Sequence, residues 1–115
     1  MKTAKVTWYS PLLAGGVLTL ALASAGAWAA TSHTISQKDK TFSAAEMVVK
    51  VGDSVEFKND DDVSHNVFSV SKEQPFNTKV QKPGTSAAVT FATEGTIEVR
   101  CAIHPGMKLL IKVVK

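Results

Sequence analysis

In the stretch "MVVKVGDSVEFKND", apolar Val49, Val51, Val55 and Phe57 alternate with polar Lys50, Glu56 and Lys58, and Gly52-Asp53 interrupts the run. Period-two alternation sends one side of an extended chain into a core and the other into water, so these residues read as strand, tight turn, strand. The same grammar recurs down the chain. "HNVFSVS" reads as a strand, "AAVTFATEGTIEVRC" as two strands turning at Glu94-Gly95, and "KLLIKVVK" as a last strand. Between them, "SKEQPFNTKVQKPGTS" reads as a polar loop with Pro75 and a Pro83-Gly84 turn. No 3.6-residue period persists long enough for a sizeable helix. About six to eight short strands in one small domain predict an all-β sandwich rather than an open sheet. Parity also places single side chains. Ile97, Val99 and Cys101 share one face and Thr96, Glu98 and Arg100 the other, so Cys101 points inward.

The first residues follow another pattern. Lys2 and Lys5 make a basic start, Pro11 to Ala23 an apolar stretch, and Ala27-Trp28-Ala29 a small-residue end. That order predicts a secretory signal peptide over 1–29, cleaved after Ala29, and one domain over 30–115 exported to the periplasm. The apolar part is shorter than the roughly 18 to 20 residues of a membrane span, which argues against an uncleaved anchor. The chain carries 13 Lys and Arg against 10 Asp and Glu, and the leader holds two of those lysines and no acid. A near-neutral mature domain supports neither nucleic-acid binding nor membrane-surface binding or insertion, and it is expected to be a monomer.

Cys101 is the only cysteine of the 115 residues. In an oxidising compartment it cannot form an internal disulfide, so it needs another explanation. It opens "CAIHPGM", which sets Cys101, His104 and Met107 at three-residue intervals around a Pro105-Gly106 bend. Taken singly, a lone cysteine is usually a small buried hydrophobe and a methionine beside Leu109 and Leu110 is core filling. Together they fit a loop that turns a thiolate, an imidazole and a thioether onto one point. His65, at the start of a strand after the acidic run Asp60 to Asp62, supplies a fourth donor. His33 has no motif around it and reads as a surface residue.

Two imidazoles, one thiolate and one thioether match a His₂Cys trigonal site with a weak axial methionine, the blue-copper arrangement; structural zinc prefers more thiolates or histidines. Four protein donors leave no position for a substrate, so a one-electron carrier fits better than an enzyme. Two other readings stay open. Cys101 could be a nucleophile with His65 or His104 as its base, for which Met107 would be irrelevant. The same donors could also hold exchangeable cuprous copper in a copper carrier or chaperone.

Through "FSAAEMVVKVGDSVEFKNDDDVSHNV", "GTIEVRCAIHPGMK" and the end of the chain, the sequence resembles the cupredoxins, the plastocyanin and amicyanin group of small blue-copper proteins. The spacing from Cys101 to Met107 is similar to the short ligand loop of amicyanins. The resemblance implies a Greek-key β-sandwich, one type 1 copper ion, and His65, Cys101, His104 and Met107 as its ligands. It further implies that Asn66 supports the site, its backbone N–H directed at the Cys101 sulfur and its side chain tying the two ligand loops together. It implies redox partners, a dehydrogenase, cytochrome or oxidase, docking near His104 through the uncharged collar of Ala102, Ile103, Pro105 and Gly106. Val99, Gly106 and Leu109 depart from the family pattern, so the potential and the partner surface do not carry over. The stretch from Ser71 to Thr85 matches poorly and carries no functional expectation.

Overall fold

The structure is a computed structural model that describes residues 29–115, so the signal peptide expected over 1–29 lies almost wholly outside the described residues. Among these, nine strands form: β1 (Ser32–Lys38), β2 (Thr41–Phe42), β3 (Glu46–Lys50), β4 (Ser54–Asn59), β5 (His65–Ser69), β6 (Phe76–Gln81), β7 (Ser86–Thr90), β8 (Gly95–Cys101) and β9 (Lys108–Val114). They build two sheets, in the orders β2-β1-β4-β7 and β3-β9-β8-β5-β6. The all-β sandwich read from the sequence is the fold found.

The core lies between the sheets where parity put it. Val49, Val55, Phe57, Ile97, Val99, Leu109 and Ile111 are each at most 1% exposed. Removing such a side chain leaves a cavity in a close-packed interior, so this face fixes the register of both sheets. The pairing of "MVVKVGDSVEFKND" differs from a simple hairpin. β3 pairs in parallel with β9, whereas β4 pairs with β1 and β7, so Val51-Gly52-Asp53 carries the chain from one sheet to the other. Gly52 takes a φ of 96°, which a side chain would strain. Val51, at the crossing, is exposed.

The expected loop between β5 and β7 contains a strand, β6, whose alternation is broken by a register shift opposite Asn66 and Phe68 and by the positive φ of Lys79. A buried polar belt closes this side of the sandwich. Gln81 Nε2 donates to the Phe57 carbonyl at 2.9 Å, and Gln37 Nε2 donates to Gln81 Oε1 at 3.0 Å, so β6 of one sheet is tied to β1 and β4 of the other.

At the opposite end of β1, His33 is not a free surface residue. Its Nε2 lies 2.9 Å from Asp53 Oδ2, and the Thr31 and Lys50 N–H groups donate to the same carboxylate. The His33 hydrogen bond, followed by those two N–H groups, holds the Asp53 carboxyl down at about 2 from its ordinary 3.8. A depressed carboxyl stabilises the fold fully above its unfolded value and loses that contribution as pH falls through the folded one. We therefore expect Asp53→Asn to flatten the acid limb of the stability curve between pH 3.8 and about 2, read as denaturation midpoints against pH. Identical acid limbs for the two proteins would show that this cluster is not coupled to folding.

Candidate metal centre

One end of the sandwich gathers the end of β4, the start of β5, the end of β8 and the start of β9. The crossing from β4 to β5 is shaped by Asn59, fully buried at the last position of β4. Its Oδ1 accepts the Asp61 N–H at 2.9 Å, while its Nδ2 donates to the carbonyls of Val63 and Gln81, each at 2.9 Å. An asparagine side chain bonding the backbone two residues on is a turn device. Here it folds the acidic run back so that His65 opens β5 facing inward.

Cys101 closes β8 and is 2% exposed, as parity required. Beyond it, the Met107 N–H donates to the His104 carbonyl at 3.0 Å, which closes the Pro105-Gly106 bend and swings His104 back over the strand end. The His65 and His104 Nδ1 atoms are 3.0 Å apart, and Cys101 Sγ lies 3.7 Å from the first and 4.0 Å from the second. Among the described residues these three form the one group of metal-ligating side chains that converge in this way. His65 is fully buried, whereas His104 is partly exposed.

The far side of His65 decides which of its nitrogens is free. Its Nε2 is 2.8 Å from Asp61 Oδ2, and that oxygen also accepts the Lys40 N–H at 3.0 Å. The Lys40 N–H, then the His65 ring, hold the Asp61 carboxyl well below the usual carboxylate range. An ionised carboxylate only accepts, so Nε2 carries the ring proton and Nδ1 presents its lone pair to Cys101 and His104. Lys40 belongs to the two-residue turn Asp39-Lys40 between β1 and β2, where both residues have positive φ, 53° and 57°. The hairpin tip thus braces Asp61, which orients His65. Asp61 is the residue that sequence reasoning passed over, because a run of three aspartates reads as a solvated loop.

Asn66 directs its backbone N–H at Cys101 Sγ, 3.4 Å away. The resemblance implied a side chain that ties the two ligand loops together; among the described residues its hydrogen bond runs to β6. Nδ2 donates to Asn77 Oδ1 on β6 at 2.8 Å, and Asn66 Oδ1 is buried without a protein partner among the described residues. Met107, the last residue of the loop, is buried at 2% exposure. Ala102, Ile103, Pro105 and Gly106 are exposed around His104.

Residues 29–114 match the family described as copper binding proteins, plastocyanin/azurin family. The chain belongs to this family. A methylamine utilization protein, MauL of Methylorubrum extorquens, is 31% identical over 88 residues, covering 76% of this chain and 73% of that protein. A purple cupredoxin from Nitrosopumilus maritimus superposes with a TM-score of 0.64 at 26% identity, over 70% of this cupredoxin and 98% of that chain. A reduced Cu(I) form of an amicyanin variant superposes with a TM-score of 0.67 at 26% identity, over 71% and 81%. A copper-containing nitrite reductase from Thermus scotoductus gives 0.68 at 27% identity over 73% of this chain, which spans 22% of that one.

The donor chemistry of this cupredoxin fits copper. Thiolate and imidazole are its preferred ligands, and the two Nδ1 atoms sit at a separation suited to nitrogens sharing one ion at about 2.0 Å each. A type 1 copper ion in this protein supplies reversible one-electron chemistry.

Proposed function

We propose that this cupredoxin is a periplasmic one-electron carrier in which His65, Cys101, His104 and Met107 hold a type 1 copper ion. The observation that carries the reading is the convergence of two Nδ1 atoms and one thiol sulfur within 4.8 Å of one another, with Asp61 fixing the His65 tautomer. Cys101 supplies the thiolate and the two imidazoles the remaining strong bonds. Met107, in the same loop, would supply a weak thioether ligand. The chain's own residues keep water away: Cys101, His65 and Met107 are at most 2% exposed. Such a closed site leaves no room for a substrate, and the partial likeness to a nitrite reductase brings none of that enzyme's activity with it. The export pattern of residues 1–29 supports the periplasmic assignment.

The test is to add Cu(II) to the purified domain and follow the visible spectrum. We expect an intense thiolate-to-copper band at one equivalent, bleached by one electron and restored by reoxidation. A colourless protein that takes up zinc one to one instead would end the reading.

His104 is the partly exposed ligand, and its collar of Ala102, Ile103, Pro105 and Gly106 carries no charge. Redox encounters bury little area, so a small apolar collar suffices for a transient partner, and electrons leave through the His104 ring. Arg100 sits at the collar's edge, donating from Nη1 to the Pro105 carbonyl at 3.3 Å. Pro105→Glu puts a charge on this surface. We expect strongly slowed electron transfer to a small redox protein with an unchanged spectrum; equal rates for the two proteins would move the exit path elsewhere.

A further inference from the structure

The stretch between Ser71 and Thr85 carried no expectation from sequence, yet its strand β6 flanks the candidate centre. β6 pairs with β5 through His65↔Gln81 and Asn66↔Val80, then shifts register before Phe68↔Asn77. Inside that irregularity, side chains replace the backbone ladder. Thr78 Oγ1 accepts the Val67 N–H at 3.1 Å and donates to the Lys79 carbonyl at 3.0 Å. Asn77 Oδ1 accepts from Asn66 Nδ2 at 2.8 Å and from the Lys79 N–H at 2.7 Å, with Lys79 held at a φ of 66°.

Successive N–H groups of a strand point to opposite edges. Holding the Val67 N–H toward β6 therefore aims the preceding one, that of Asn66, toward β8, where Cys101 Sγ lies at 3.4 Å. Asn77 fixes the same residue through its side chain, and among the described residues it is the one protein partner of a buried amide whose oxygen has none. We propose that Asn77 and Thr78 are positioning residues that hold the Asn66 N–H on the Cys101 sulfur and so set how much charge the thiolate gives to copper. The proposal rests on Cys101 being a copper ligand. An N–H donated to a thiolate withdraws electron density from it, which favours the cuprous state and raises the reduction potential.

Two variants test it independently. Thr78→Val keeps the shape of the side chain and removes the acceptor of the Val67 N–H. Asn77→Ala acts at an exposed position and removes the acceptor of Asn66 Nδ2 and of the Lys79 N–H. In the metal-free protein, either change should shift the Asn66 amide proton resonance upfield and speed its exchange with solvent about fivefold, the worth of one net hydrogen bond. In the copper-loaded protein the reduction potential should fall and the charge-transfer band should move. Thr78→Ser, which keeps the hydroxyl, should restore all of these. Wild-type Asn66 resonance, exchange and potential in both variants would overturn the proposal. The amide measurements need no copper, so a colourless wild type whose Asn66 amide responds as expected would overturn the copper reading and leave the positioning role standing.

Discussion

Cys101→Ser should abolish the blue absorption of the copper-loaded protein and leave the sandwich folded. Serine keeps the shape of the side chain, and its oxygen can accept the Asn66 N–H that the sulfur receives in the wild type. It is a hard donor with no low-energy charge transfer to copper, and the chain has no other thiol to take over. Met107→Leu makes the contrast, because a thioether is a weak ligand that would tune the metal more than hold it: the colour should persist while the potential shifts. Copper titrations followed in the visible, with denaturation midpoints alongside, check both. A blue Cys101→Ser protein would remove Cys101 from the ligand set.

The second large effect should come from Asp61. Its carboxylate lies on the side of His65 away from Cys101, so it touches no metal and acts through the ring. Asp61→Ala leaves a buried Nε2–H without an acceptor, frees the ring to rotate or change tautomer, and drops the anchor of the Lys40 turn. Losing such a partner of a ligating histidine weakens metal binding by about 10- to 100-fold. Asp61→Asn can present Oδ1 to the same N–H and should recover part of the loss. Competition against a chelator of known affinity measures it. Copper affinity equal to wild type in Asp61→Ala would mean that packing alone orients His65.

The parts of this molecule that sequence revealed are those written by two-residue periodicity and local spacing. Ile97, Val99 and Cys101 alternate with Thr96, Glu98 and Arg100, so the inward thiol could be read directly, and the loop to Met107 is short enough that its donors have little choice of where to meet. β6 escaped because Val80 is exposed and Gln81 buried, against the residue types, and because Lys79 leaves the β region altogether. β1 is masked similarly, with Gln37 fully buried at a core position. Its Nε2 donates to Gln81, a partner 44 residues away. His33 and Asp53 find each other across 20 residues, and Asp61 gains its role from the turn that Asn59 makes. Each of these depends on a tertiary partner, and periodicity says nothing of partners.

The parallel pairing of β3 with β9 has a kinetic meaning. Glu46 lies beside Leu110, so two strands near opposite ends of the domain must find each other before one sheet is complete. Loop closure on that scale precedes the contacts that reward it, which makes folding slow for a domain of this size. Folding shuts the Cys101 thiol to 2% exposure. In an oxidising compartment the unfolded chain is therefore the form exposed to sulfur oxidation and to cross-linking with another copy, and the native sandwich is what shelters the thiol. The yield of metal-competent protein after refolding should track how fast the first and last strands of this sheet meet, and a reductant present only during that interval should be enough to preserve it.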